Sequence, residues 1–85
     1  MPSLNPQLIR SHFPALASGA VFLDNPAGTQ VTQSVIDAIA NYYRTANANS
    51  HGAFLTSHRT DETMAQGRAA YADFLNAHSP DEIIF

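Results

Sequence analysis

The stretch Val21-Phe22-Leu23-Asp24-Asn25-Pro26-Ala27-Gly28-Thr29 decides how the chain is organised. Three apolar residues lead into a short polar loop rich in turn formers, and a helix is predicted to begin just after it. A short apolar run bounded by turn formers is typical of a buried strand, so we predict a strand over 21–24. Strand, tight loop and helix is an arrangement that places backbone groups beside a small ligand in many α/β proteins. Taken alone, the stretch is more often an ordinary turn, so a ligand site needs support from elsewhere in the chain.

The rest of the pattern predicts a mostly helical chain with two short strands. The helices are expected near 5–12, 32–45 and 58–76, and the strands near 21–24 and 83–85. Asn5 and Thr32 are good N-caps for the first two helices, and Ser57 or Thr60 can cap the third. Gly67 lies in the middle of the third helix at a cost of about 1 kcal/mol relative to alanine, which indicates close packing of another backbone there.

Composition excludes several classes of function. The 85 residues carry a net charge of −3 and only four basic side chains, whereas nucleic-acid binding favours a basic face. No apolar run approaches the roughly 20 residues of a membrane span, and no signal peptide is seen. Cysteine is absent, which fits a cytoplasmic protein. The four histidines are scattered, and none is paired at metal-binding spacing on one helix.

Four motifs in order, from about Phe13 to Phe85, resemble the N-terminal part of the class V aminotransferase family, in particular its cysteine desulfurase-like members. They are the loop Leu23-Asp24-Asn25-Pro26-Ala27-Gly28-Thr29-Gln30, a helix over 35–43, the segment Asn47-Ala48-Asn49-Ser50-His51, and a long helix followed by Pro80-Asp81-Glu82-Ile83-Ile84-Phe85. The resemblance implies the α/β architecture of fold-type I pyridoxal phosphate (PLP)-dependent transferases. It also implies a homodimer that acts on a small amino acid.

The resemblance also assigns site residues. Ala27, Gly28 and Thr29 are expected to line the substrate side of the PLP pocket. The loop over 46–56 is expected to reach the active site of the partner subunit, and His51 in it matches a histidine of the family. Arg59 matches a position where relatives also carry arginine, which would orient an anionic group.

The sequence departs from the family pattern in two loops, the first one, which contains Pro26 and Gly28, and the loop over 46–56. Pro26 and Gly28 replace the usual residues of the first loop, which puts the identity of the substrate in doubt. Gly52 stands where relatives usually carry arginine, which weakens the case for binding a substrate carboxylate there. These departures resemble a desulfurase-like side branch more than the standard sulfur-mobilising enzymes.

Two absences limit what the chain does alone. All four basic residues are arginines, so there is no lysine to hold PLP, and there is no cysteine to accept sulfur. We therefore predict no catalytic, covalent cofactor-binding or metal-binding residue within the chain. We expect residues 1–85 to be one incomplete segment, the N-terminal arm and the start of a longer PLP-dependent transferase domain. The alternative is a non-catalytic truncated module that self-associates or binds a partner protein.

Overall fold

A computed structural model describes residues 2–85 and shows a helical chain. Residues 2–85 form three α-helices: α1 (Pro6–Arg10), α2 (Gln33–Thr45) and α3 (Leu55–Leu75). Three short 3₁₀ turns lie between or after them, at Pro14–Ser18, Asn25–Ala27 and Pro80–Glu82. Within residues 2–85, none of the helices combines the length and the apolar character needed to cross a bilayer.

The two strands predicted over 21–24 and 83–85 are wrong for this structure. No strand is present in the part of the chain that the structure describes, and both segments are irregular. Val21 and Leu23 are 81% and 90% exposed. A strand needs a neighbour to pair its backbone N–H and C=O groups, and residues 2–85 supply none to either segment. The apolar composition of these segments alone does not make a strand, because the hydrogen-bonded ladder requires a second segment to pair with.

The first two helices form at the predicted places because their signals are local. The Asn5 side chain accepts hydrogen bonds from the N–H groups of Gln7 (3.1 Å) and Leu8 (3.2 Å), as an N-cap does. At α2, the carbonyl of Thr32 accepts from the N–H groups of Val35 and Ile36. Helix α1 is shorter than the predicted 5–12, since the chain turns at Ser11.

The contacts divide the chain into two compact units, Met1–Asn41 and Tyr42–Phe85. In the second unit, α3 begins at Leu55, about one turn before the predicted start at Ser57–Thr60. Phe54 occupies the N-cap position and makes no side-chain cap hydrogen bond, so the predicted caps Ser57 and Thr60 are wrong. Both lie inside the helix and are buried.

The end of the chain packs on α3. An added Cβ at Gly67 would lie 3.4 Å from Cζ of Phe85, so the neighbour of this glycine is an aromatic ring and not a backbone. The Arg68 guanidinium lies 5.3 Å from the centre of the same ring, and Tyr71 meets it edge-on at 5.9 Å. The turn Pro80–Glu82, which precedes Phe85 in the chain, begins after Ser79, whose hydroxyl accepts from the N–H of Asp81.

Candidate functional site

The loop between α2 and α3 is held by four polar side chains from the first two turns of α3. Ser57, Arg59, Thr60 and Asp61 each bond to backbone atoms in or beside residues 45–52. Ser57, Thr60 and Asp61 lie on one face of α3, because residues three and four apart share a face of a helix. The loop is therefore fixed by side chains and not by secondary structure.

Ser57 is the innermost of these residues and has no exposed surface. Its hydroxyl accepts from the N–H of Gly52 at 2.6 Å and donates to the carbonyl of Asn49 at 2.6 Å. One buried hydroxyl thus pairs one donor and one acceptor of the loop. A buried backbone group without such a partner would cost about 1–3 kcal/mol.

Thr60 and Tyr42 hold the beginning of the loop. The Thr60 hydroxyl lies 2.6 Å from the carbonyl oxygen of Ala46 and 3.1 Å from the hydroxyl of Tyr42. A hydroxyl carries one proton. Thr60 donates it to Ala46 over the shortest distance, and the Tyr42 hydroxyl then donates to Thr60 or to the carbonyl of Ala48, 3.3 Å away. Tyr42 is a half-buried member of this network.

His51 adopts an unusual backbone conformation, with φ at 67°. This left-handed region costs a residue with a side chain roughly 1–2 kcal/mol. Asp61 offsets that cost, because both of its carboxylate oxygens accept from the N–H of His51, at 3.0 and 3.2 Å. Nδ1 of the His51 ring lies 3.3 Å from Oδ1 of Asp61, and the His51 side chain is 88% exposed.

Arg59 points at the end of the preceding helix. Its Nη1 donates to the carbonyl of Thr45 at 2.8 Å, where the last carbonyls of α2 lack helical partners. In this structure Arg59 therefore stabilises a helix C-terminus. Its predicted role toward an anionic group stays a prediction.

A cavity of about 290 Å³ opens beside His51. It is lined by Ser50, His51, Asp61, Met64, Ala65 and Arg68. The wall combines an imidazole, a carboxylate and a guanidinium with two apolar side chains. Such a surface offers both donors and acceptors to a small polar ligand.

The loop predicted to line the substrate pocket lies in the first unit. The turn Asn25–Ala27 ends at Gly28, whose φ of 156° suits glycine better than other residues. Of the three predicted residues, Thr29 lines a cavity of about 210 Å³, and Ala27 and Gly28 lie outside its lining. That cavity is bounded by Phe13, Leu16, Phe22, Asn25, Thr29 and Gln30.

The predicted site residues thus lie in separate units. Ala27, Gly28 and Thr29 belong to the first, and His51 and Arg59 to the second. Sequence reasoning missed the roles of Ser57, Thr60 and Asp61 in holding the loop. The signal was present: three polar residues at helical spacing directly follow a polar, turn-rich loop that has no secondary structure to pair its backbone.

The chemistry of the donor set does not fit covalent anchoring of PLP. The chain contains no lysine, and the residues that surround both cavities include no other amine that could take its place. Within residues 2–85, no three histidine, aspartate or glutamate side chains come together as metal ligands would. The two loops therefore offer hydrogen-bonding and packing surfaces, and no anchored cofactor is assigned to them.

Comparison with known proteins gives one family. The family model for class V aminotransferases matches residues 21–85. A probable cysteine desulfurase of Vibrio cholerae is 39% identical over 96% of this chain, and one of Streptomyces coelicolor is 36% identical over 96%. A cysteine desulfurase of Synechococcus elongatus is 35% identical over 91% of the chain.

These relatives are much longer proteins. The chain spans 22% of the Vibrio protein, 21% of the Streptomyces protein and 13% of the Synechococcus protein. No solved structure matches the chain.

Proposed function

Because the chain belongs to the class V aminotransferase family, we propose that it supplies the substrate-side walls of the active site in a longer PLP-dependent enzyme. That enzyme would act on cysteine or on another amino acid. The lysine that holds PLP, and the cysteine that would accept sulfur, would come from parts of the enzyme outside these 85 residues.

One observation carries this proposal: His51 is exposed while the loop on which it stands is fixed. The imidazole is 88% exposed. The backbone, however, is fixed at two successive residues: the N–H of His51 donates to Asp61, and the N–H of Gly52 donates to Ser57. A binding residue needs both properties, because a loop whose backbone is already fixed loses less conformational entropy when a ligand binds. An exposed histidine with no role would not require this support.

In the proposed enzyme, the two loops have different tasks. Thr29 and the adjoining backbone of Ala27 and Gly28 would face the substrate, and Gly28 would let the backbone approach it closely. The loop with His51 would reach the active site of the partner subunit of a homodimer. Arg59 would keep the start of that loop in place through Thr45, and it would also be available to orient an anionic group.

The test uses the complete reading frame that contains this chain, expressed and loaded with PLP. Turnover is measured with cysteine and with a panel of other amino acids, for the unchanged protein and for His51→Ala. We expect His51→Ala to lower kcat/KM by about tenfold or more, which corresponds to about 1.4 kcal/mol of transition-state binding. His58→Ala, an exposed histidine of the same unit, is the matched control and should keep its activity. Equal loss in both variants, or in neither, would contradict the proposal.

A second candidate function is supported by the exposed apolar side chains. Val21 and Leu23 in the first unit and Ile84 in the second are among the most exposed of them, and large exposed apolar side chains are available to pack against a partner. The chain would then be a non-catalytic module that self-associates or binds a partner. Sedimentation of the purified 85-residue chain over a range of concentrations tests this candidate: reversible association supports it, and a monomer throughout excludes self-association.

A further inference from the structure

The contact between Asp61 and His51 resembles the way in which catalytic carboxylates orient histidines. The carboxylate accepts the backbone N–H of His51 and also lies 3.3 Å from Nδ1 of the ring. A carboxylate beside one ring nitrogen favours the proton on that nitrogen, because an ionised carboxylate can only accept. The other nitrogen, Nε2, then keeps its lone pair.

The backbone of the loop supports the same arrangement. His51 holds a left-handed conformation, and the next residue, Gly52, is tied to the buried Ser57. Ser57 also binds the carbonyl of Asn49, so contacts with α3 lie on both sides of His51. Strained residues of this kind persist only where their surroundings fix them, and they are concentrated at functional sites.

We propose that Asp61 and Ser57 are positioning residues for His51: Ser57 fixes the loop over 49–52, and Asp61 keeps the ring proton on Nδ1, so that Nε2 faces outward as a hydrogen-bond acceptor. The groups that such an acceptor recognises are donors, such as the ammonium or thiol of an amino acid. This last step rests on the proposed function, whereas the positioning itself does not.

The contacts of neighbouring side chains on α3 distinguish the positioning role of Asp61 and Ser57 from simple packing of the loop. Thr60 and Arg59 bond instead to the carbonyls of residues 45–48, at the beginning of the loop. Asp61 and Ser57 contact His51 and Gly52 directly. Positioning of the imidazole should therefore respond to changes at Asp61 and Ser57.

The first experiment determines the tautomer of His51 by ¹⁵N NMR of the imidazole in the full 85-residue chain, on the high-pH plateau of the ring's own ¹⁵N titration. We expect the Nδ1–H form to predominate, and Asp61→Asn to shift His51 toward the Nε2–H form. Glu62→Gln changes the neighbouring carboxylate and is the matched control, with no shift expected. An Nε2–H form in the unchanged chain, or the same tautomer ratio in Asp61→Asn, would overturn the proposal.

The second experiment measures amide hydrogen exchange of the same chain. Ser57→Ala should speed exchange at the Gly52 N–H by about fivefold or more, since it removes the hydroxyl that accepts from that group at 2.6 Å. Amides of the later turns of α3 should keep their rates. Thr63→Ala removes a hydroxyl that bonds only within α3, to the Arg59 carbonyl, and should leave Gly52 unchanged. Unchanged exchange at Gly52 in Ser57→Ala would contradict the role of Ser57. If Ser57→Ala prevents folding, the Asp61→Asn measurement still decides the role of Asp61.

These readouts are made without substrate or cofactor. Failure here would remove Asp61 and Ser57 as positioning residues and leave the role of His51 to the kinetic test. Success here with failure of the kinetic test would leave an oriented histidine with no role in turnover.

Discussion

The N–H of Gly52 lies 2.6 Å from the hydroxyl of Ser57, at a point where the loop has no room for a side chain. An added Cβ at Gly52 would lie 2.5 Å from Cε1 of Phe54 and 3.0 Å from the Ser57 oxygen. A side chain at this position therefore requires its neighbours to move.

Gly52→Ala should destabilise the second unit by about 1 kcal/mol or more, because either the Phe54 ring or the loop must move. Phe54 is exposed enough to rotate away, so most of the loss should disappear in a Phe54→Ala background. A double-mutant cycle from urea unfolding measures this coupling. If the losses in the free energy of unfolding caused by Gly52→Ala and by Phe54→Ala simply add in the double variant, the clash with Phe54 is not the cause of the destabilisation.

Gly67→Ala should have the opposite effect. The new methyl would meet the Phe85 ring at 3.4 Å, which is ordinary contact, and alanine is favoured over glycine in a helix interior by about 1 kcal/mol. We expect the thermal midpoint, followed by circular dichroism, to rise by about 4 °C or more. A lower midpoint would show that the Phe85 ring cannot adjust to the methyl.

Removal of the buried hydroxyl of Thr60 should be costly. Thr60→Val keeps the shape of the side chain but leaves the Ala46 carbonyl without its 2.6 Å partner, with an expected loss of about 1–3 kcal/mol in the free energy of unfolding. Thr60→Ser keeps the hydroxyl and should lose much less. Equal losses from the two substitutions would indicate that the methyl group, and not the hydrogen bond, stabilises this point.

The left-handed backbone of His51 predicts a contrast between two substitutions. His51→Gly relieves the strain at φ 67° and should leave the free energy of unfolding unchanged or raise it by up to about 1 kcal/mol. His51→Val places a β-branched side chain in a region that such residues avoid and should lower it by roughly 1–2 kcal/mol. Urea unfolding of both variants gives the comparison, and a smaller loss for valine than for glycine would contradict the assigned conformation.

The parts of the fold that were predicted correctly depend on signals between near neighbours. Asn5 caps α1 through residues two and three positions away, and the apolar spacing around Ile36 and Ile39 indicates α2. The prediction of strands at 21–24 and 83–85 is wrong because a strand requires a second segment to pair with, and no segment within residues 2–85 pairs with either. The sequence predicts Ser57 and Thr60 as caps because a hydroxyl near a helix start has the same appearance in sequence whether it bonds to its own helix or to a loop. Only the folded position of the loop between α2 and α3, which brings Asn49 and Gly52 to Ser57, distinguishes these two kinds of hydrogen bond.

The proposal that these 85 residues work as one part of a longer PLP-dependent enzyme is tested most directly by sequencing the gene and its transcript past the codon for Phe85. We predict an open frame that continues for several times the length of this chain, as in its relatives, and that encodes the lysine missing from residues 1–85. A stop codon directly after Phe85 in both gene and transcript would contradict it, and the chain would then have to act as a module without the family's chemistry.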